Sequence, residues 1–197
     1  MLTRRTLMCS ATAFALAICA AVPAFADPDA ALAILQETVL SKGPSGEDPS
    51  PASDVVLTEE ELAKIKDLGA TAAIVMHYGG NDWSQAQING LQTQFGAMGI
   101  EVIAVTDAGF KPEKQVSDLE TIMAQSPDII VSIPTDPTAT ASTYRAAAKA
   151  GAKLVFMDNI PAGFVPGTDY VSVVSADNYG NGVAAAHMMA KALGPDG

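Results

Sequence analysis

Cysteine is almost missing from this sequence. The 197 residues include only Cys9 and Cys19, both within the first 26 positions. A mature chain starting after that stretch has no disulfide, no thiol nucleophile and no cysteine-ligated metal. Positive charge is also scarce, with 11 Lys and Arg against 22 Asp and Glu. Arg4 and Arg5 fall in the same leading stretch, so beyond it nine basic residues face 22 acidic ones, a net charge of −13. Such a surface repels phosphate backbones and anionic lipid, which argues against nucleic acid as a partner. Histidine occurs only at positions 77 and 187, and no His-Glu pair stands at zinc spacing. Neither a Gly-x-Ser-x-Gly elbow nor a phosphate-cradling Gly-Lys-Ser or Gly-Lys-Thr is present. From these gaps we expect no metal, no cofactor and no catalytic residue. Beyond the leading stretch no apolar run approaches the roughly 20 residues that span a bilayer.

What the sequence does contain begins with that leading stretch. It joins Arg4 and Arg5 to an apolar segment and a small-residue Ala24-Phe25-Ala26 ending, with no acidic residue. Residues 1–26 therefore read as a secretory signal peptide, which directs the mature chain to the periplasm. Thr3-Arg4-Arg5-Thr6-Leu7 also fits a twin-arginine signal, with the general secretory route as the alternative. Lipidation at Cys19 is disfavoured because Ile18 before it is bulkier than the small residue such processing prefers. Residues 27–70 form an extension. Within it Ala31, Leu32, Ile34, Leu35 and Val39 space as the apolar stripe of a short helix. GPSGEDPSPAS, residues 43–53, is turn and linker chemistry. Thr58 with Glu61 then predicts a capping box for a second short helix that stops at Gly69.

From Thr71 onward strand-like and helix-like segments alternate. Strands are expected over residues 71–78, 101–105, 128–133, 152–157 and 170–174, and helices over 84–98, 112–125, 137–150 and 179–193. With 49% hydrophobic residues, the chain can fill a core. Alternation on this scale predicts an α/β fold with a doubly wound, mostly parallel sheet built from right-handed βαβ units. In the first unit Asp82 and Gln85 read as a helix-start capping pair, and Trp83, the only tryptophan, falls in the first helical turn.

Loops after parallel strands gather at one edge, where ligands of open sheets bind. They carry Asn81, Asp82 and Trp83; Thr106 and Asp107; Thr135 and Asp136; Asp158 and Asn159. Carboxylates and amides each take several hydrogen bonds, and an indole face can lie against the C–H side of a sugar ring. The set suits a neutral polyhydroxylated ligand. The same residue types are also good turn and cap formers, the preferred reading for Thr106 and Asp107. His77 reads as a packed structural histidine, with a cleft-facing role as the alternative, and His187 as structural. Gly180-Asn181-Gly182-Val183-Ala184-Ala185 matches a dinucleotide-binding pattern but is read as helix packing.

GGNDW after the first strand, IPTDPTA after the third, FMDN after the fourth and VSADNYGNG further on occur in the order found in one family. From Thr71 the chain resembles the sugar-binding type I periplasmic binding proteins of ABC importers, close to the ribose-binding group. The resemblance implies a two-lobed fold. Its first lobe would span residues 71–160, and residues 161–197 would hold the hinge crossing and the start of the second. It also implies a ligand site of Asn81, Asp82, Trp83, Asp136, Asp158 and Asn159, with Asp177 and Asn178 near the crossing. The implied function is capture of a small-molecule sugar or polyol for an ABC transporter membrane permease, by a monomer and without catalysis. A periplasmic receptor serving a sensor or chemotaxis protein would use the same site. A carbohydrate-active enzyme pairing Asp82, Asp136 and Asp158 is a further alternative. A repressor is contradicted by the signal peptide and by the lack of a basic helix-turn-helix.

The family's second lobe needs roughly another hundred residues, so a chain stopping at Gly197 is expected to be a fragment. Its last unit, residues 170–193, would have no sheet of its own to join, leaving an apolar face that includes Val183, Ala186 and Met189 exposed or packed non-natively. Sugar affinity of about millimolar or weaker, near −4 kcal/mol, would follow. Processing gives the first test. Exported protein should show the intact mass of a chain starting at Asp27; a start elsewhere or a lipid on Cys19 would refute a soluble periplasmic product.

Overall fold

A computed structural model describes residues 27–194. The expected signal peptide lies outside the described residues. Five parallel strands run through the centre, β1 (Thr71–Met76), β2 (Glu101–Asp107), β3 (Ile129–Ser132), β4 (Lys153–Met157) and β5 (Ser172–Val174), in the order β2-β1-β3-β4-β5. The helices are α1 (Pro28–Gln36), α2 (Glu59–Leu68), α3 (Asp82–Ala97), α4 (Pro112–Met123), α5 (Ala141–Lys149) and α6 (Asn178–Leu193), with a 3-10 turn at Ala52–Val55.

Period-two alternation sorts the strand residues to two faces. Ala73 and Val75 of β1, Ile130 of β3, and Leu154 and Phe156 of β4 share one cluster with Leu119 and Ile122 of α4 and Tyr144 and Ala147 of α5. Ile74, Met76, Val131 and Met157 share the other with Ile88 of α3. Ala72 to Met76 are fully buried because β1 is paired on both edges and covered on both faces. That explains a strand without polar residues after Thr71. The second face is covered less completely. Beside α3 an entirely apolar groove of about 360 Å³ runs between Leu91 and Phe95 on one side and Val155, Met157 and Val174 on the other.

The expected elements are all present, with shifted ends. The strand expected to reach Tyr78 ends at Met76, whereas β2 continues to Asp107, in register with Met76. The helix expected from Pro137 begins at Ala141. Asp136 is the reason: its carboxylate takes the N–H groups of Thr138 and Ala139, and its carbonyl takes Thr140, so a separate turn forms first. One expectation is corrected outright. The unit after residue 170 does have a sheet to join, since Ser172–Val174 pair in parallel with Val155–Met157 of β4. Its helix behaves nearer to expectation, because α6 packs on α1 and on no strand. Val183 is half-buried, while Ala186 is exposed and Met189 is 60% exposed.

The extension forms both predicted helices. Thr58 and Glu61 complete the capping box, and Gly69 closes α2 in the left-handed conformation. In α1 the helix stops at Gln36, so Val39 lies outside the stripe assigned to it. No residue of α1 or α2 is buried. Besides the packing of α1 on α6, a carboxylate ties the first part of the extension to the start of α6. Asp177 Oδ2 accepts from Leu40 N at 2.8 Å, and Oδ1 accepts from Ser41 N at 2.9 Å and Ser41 Oγ at 2.7 Å. The same Oδ1 caps α6 by accepting from Gly180 N.

These donors, Ser41 first, hold the Asp177 carboxyl down at about 2. A depressed carboxyl contributes stability above its ordinary value of 3.8 and loses it as pH falls toward about 2. Protection of the Leu40 and Ser41 amides should therefore be constant above about pH 4 and collapse toward pH 2. Asp177→Asn should remove that pH dependence. Amide exchange with correction for intrinsic rates checks it, and unchanged protection at pH 2 would refute the clamp.

Candidate functional site

In a sheet ordered β2-β1-β3-β4-β5, the chain leaves β1 toward β2 and then crosses back to β3. The connections after β1 and β3 thus diverge, opening a crevice between them at the carboxyl edge. The Asn81–Trp83 turn flanks this crevice on one side and the Thr135–Asp136 turn on the other.

Asn81, not Asp82, caps α3: its Oδ1 accepts from Ser84 N at 2.8 Å. The expected Asp82–Gln85 capping pair is corrected accordingly, because Gln85 turns back to donate Nε2–H to Gly79 O at 2.6 Å. Asp82 is left exposed in the first helical turn, where the helix dipole favours its charge. Trp83 is 51% exposed. Both glycines before it lie close against neighbouring side chains. A Cβ on Gly79 would lie 3.2 Å from Asp107 Oδ2, and one on Gly80 only 2.4 Å from the Tyr78 hydroxyl.

Four rings converge at this edge. His77 meets Trp83 edge-on with centroids 6.2 Å apart and Phe110 edge-on at 5.1 Å. Tyr78 stacks on Phe110 at 4.7 Å with 14° between the planes. Phe110 is 60% exposed and has φ of +59°, a left-handed conformation rare for an aromatic residue. Its N–H donates to His77 O at 2.8 Å, which ties the β2 loop to the end of β1. Neither Phe110 nor Tyr78 was among the expected site residues. The signal for Phe110 was an aromatic directly after Asp107-Ala108-Gly109, in a loop already known to reach this edge.

His77 is half-buried, and its Nδ1 has no partner among the described residues. Burial lowers its pKa, against the opposing pull of Asp158 and Asp107. It is therefore neutral at pH 7 and presents a ring rather than a charge. Asp107 supports its own turn, with Oδ1 accepting from Gly109 N at 2.8 Å. The Thr106 hydroxyl, by contrast, is buried with no partner among the described residues.

Asp136 has a partly structural role. Its Oδ1 accepts from Ala139 N at 2.7 Å and Thr138 N at 2.8 Å, and these two bonds hold its pKa below the ordinary carboxylate value. Oδ2 takes no hydrogen bond from the described residues. Asp158 sits at φ of +61°, with its N–H bonded to Val174 O and its Oδ1 accepting from Ser175 Oγ at 3.3 Å. Asn178 Nδ2 extends this chain to Ser175 Oγ at 3.2 Å. The Asn159 side chain is exposed beside it. The six expected residues thus line one edge on three loops. Among the described residues, no three His, Cys, Asp or Glu side chains gather as they would around a metal ion. The edge offers ring faces and hydrogen-bond acceptors to a neutral molecule rich in hydroxyls. A separate cleft of about 390 Å³ lies between α1, the residues after it and the start of α6.

Comparison with known proteins matches residues 72–197 to a family model described as a periplasmic binding protein domain. No curated protein sequence matches the chain. Among solved structures, it is similar to an ABC sugar transporter subunit from Rhodobacter sphaeroides 2.4.1, at 25% identity and a TM-score of 0.54 over 64% of this chain. An ABC transporter solute binding protein from Agrobacterium vitis, bound with alpha-D-tagatopyranose, is 26% identical with a TM-score of 0.57 over 63% of this chain. AraP, an arabinose binding protein from Geobacillus stearothermophilus, is 26% identical with a TM-score of 0.55, also over 63% of this chain. The matches cover 42%, 44% and 41% of those proteins, so the chain spans about two-fifths of their length.

Proposed function

The chain belongs to the periplasmic binding protein domain family, and from that premise we propose that it captures a sugar or polyol for an ABC-type importer. One observation carries the proposal: exposed Trp83 and Phe110 stand with acceptor side chains at the crevice where the strand order diverges between β1 and β3. Ring faces cover the C–H faces of a pyranose or polyol, while Asn81, Asp82, Asp136, Asp158 and Asn159 take its hydroxyl hydrogens. Negative charge suits this work, since each carboxylate accepts charge-assisted hydrogen bonds from neutral hydroxyls. The sugar and arabinose named for the similar proteins make D-tagatose and arabinose the first probes.

In this reading residues 1–26 export the chain to the periplasm, where it works as a monomer and hands its ligand to the membrane permease without chemical change. Residues 71–160, with β5 added at the edge of the same sheet, supply one wall of the site, and the residues after β5 begin the crossing toward a second.

Titration of the two probes with wild-type and variant protein tests the site. Asp136→Asn is the informative change at its position, because it keeps an Oδ1 acceptor for Thr138 and Ala139 while removing the charge. It should weaken binding by about 1 to 3 kcal/mol. Trp83→Ala should cost more than Trp83→Phe, which retains a ring. Undiminished affinity in both Asp136→Asn and Trp83→Ala would remove the proposed site.

A further inference from the structure

Gln115 is the one fully buried amide side chain on the helices that flank the crevice. It projects from α4, yet none of its hydrogen bonds stays within that helix. Nε2 donates to Ile133 O at 2.9 Å, and Oε1 accepts from Thr135 N at 2.8 Å and Thr135 Oγ1 at 3.0 Å. These partners bracket Pro134, which is itself buried and has no N–H to offer. Here β3 has ended: Ile133 N still donates to Val75 O of β1, but among the described residues no neighbouring strand pairs with Ile133 O or Thr135 N. The amide therefore replaces the sheet for the two residues on either side of the proline.

We propose that Gln115 is a positioning residue for the ligand-binding loop, fixing Ile133–Thr135 so that Asp136 presents its Oδ2 to the crevice in one orientation. The inference rests on the sugar-binding reading of Asp136. Its geometry continues without a gap along the chain. Thr135, gripped by Gln115 at both N–H and hydroxyl, is followed by Asp136, whose Oδ1 holds Thr138 and Ala139 and whose carbonyl holds Thr140. Removing the first grip frees the backbone directly before the ligand group. A buried amide with three satisfied partners also costs little to keep and much to break, because Ile133 O and Thr135 N would lose their only partners among the described residues, beside the buried Ile133 and Pro134 side chains.

Amide exchange and titration on the same protein decide the matter. In Gln115→Met, exchange at Thr138 and Ala139 should quicken by about tenfold while the amides of Ala73 and Val75 in β1 keep their protection. Should Gln115→Met fail to fold, Thr135→Val removes the hydroxyl part of the grip and should speed the same two amides by a smaller factor. Binding of D-tagatose and arabinose should fall about tenfold in Gln115→Met, and that loss should largely vanish in an Asp136→Asn background. A general packing role would give equal losses in both backgrounds and would overturn the proposal. Unchanged exchange at Thr138 and Ala139 would also overturn it, with the sugar reading intact. If the wild type binds neither probe, the exchange arm decides by itself: faster exchange at Thr138 and Ala139 in the variant shows that Gln115 holds the loop, and unchanged exchange overturns the proposal.

Discussion

Burial of β1 on both edges and both faces is the constraint from which the rest of the structure follows. A strand paired with β2 on one side and β3 on the other can only be central, and a central parallel strand forces helices onto both faces. Because β1 is first among the strands and stands second in the sheet, the chain must reverse direction across it. The reversal opens the crevice between the β1 and β3 loops. What gathers there is set by that geometry: glycines where the backbone approaches Asp107 and the Tyr78 ring, aromatics on the β1 and β2 loops, and acceptors on the β1, β3 and β4 loops.

Coverage of the two sheet faces is unequal, and the inequality separates a densely packed part from a less supported one. α4 and α5 enclose a cluster of large side chains in which Phe156 meets Tyr144, Phe164 and Tyr170 edge-on. On the opposite face α3 stands beside an open apolar groove. At the far edge β5 is short and exposed on alternate residues, and α6 leans on α1 rather than on the sheet. The Asp177 clamp joins segments 136 and 137 residues apart in sequence, giving the extension an anchor that its own surface lacks.

Much of this was legible in the sequence, for identifiable reasons. The uninterrupted apolar run of Ala72 to Met76 marks a strand buried on both faces, and the Thr58–Glu61 spacing marks a helix start, because each depends on neighbours in the chain. Tertiary choices were not legible. Asn81 and Asp82 are both competent caps, and it is Asn81, extended at φ −133° and ψ 165°, whose side chain takes the Ser84 N–H. Phe110 reads as an unremarkable loop residue until its backbone is seen bonded to His77 and its ring stacked on Tyr78. Gln115 lies at a helix position that composition alone would assign to solvent. Asp177 was placed near a lobe crossing by resemblance, whereas its contacts with Leu40 and Ser41 come from an extension that the resemblance did not cover.

The central claim is that ligand binds at the carboxyl edge and not in the clefts beside α3 or between α1 and α6. Backbone amide chemical shifts recorded during titration with D-tagatose test that claim most directly. The account predicts that perturbed amides cluster at Gly79 to Trp83, Phe110, Thr135 to Ala139 and Asp158 to Asn159. Perturbations confined to Leu91, Phe95, Val155 and Met157, or to the residues around Val39 and Asn181, would contradict it.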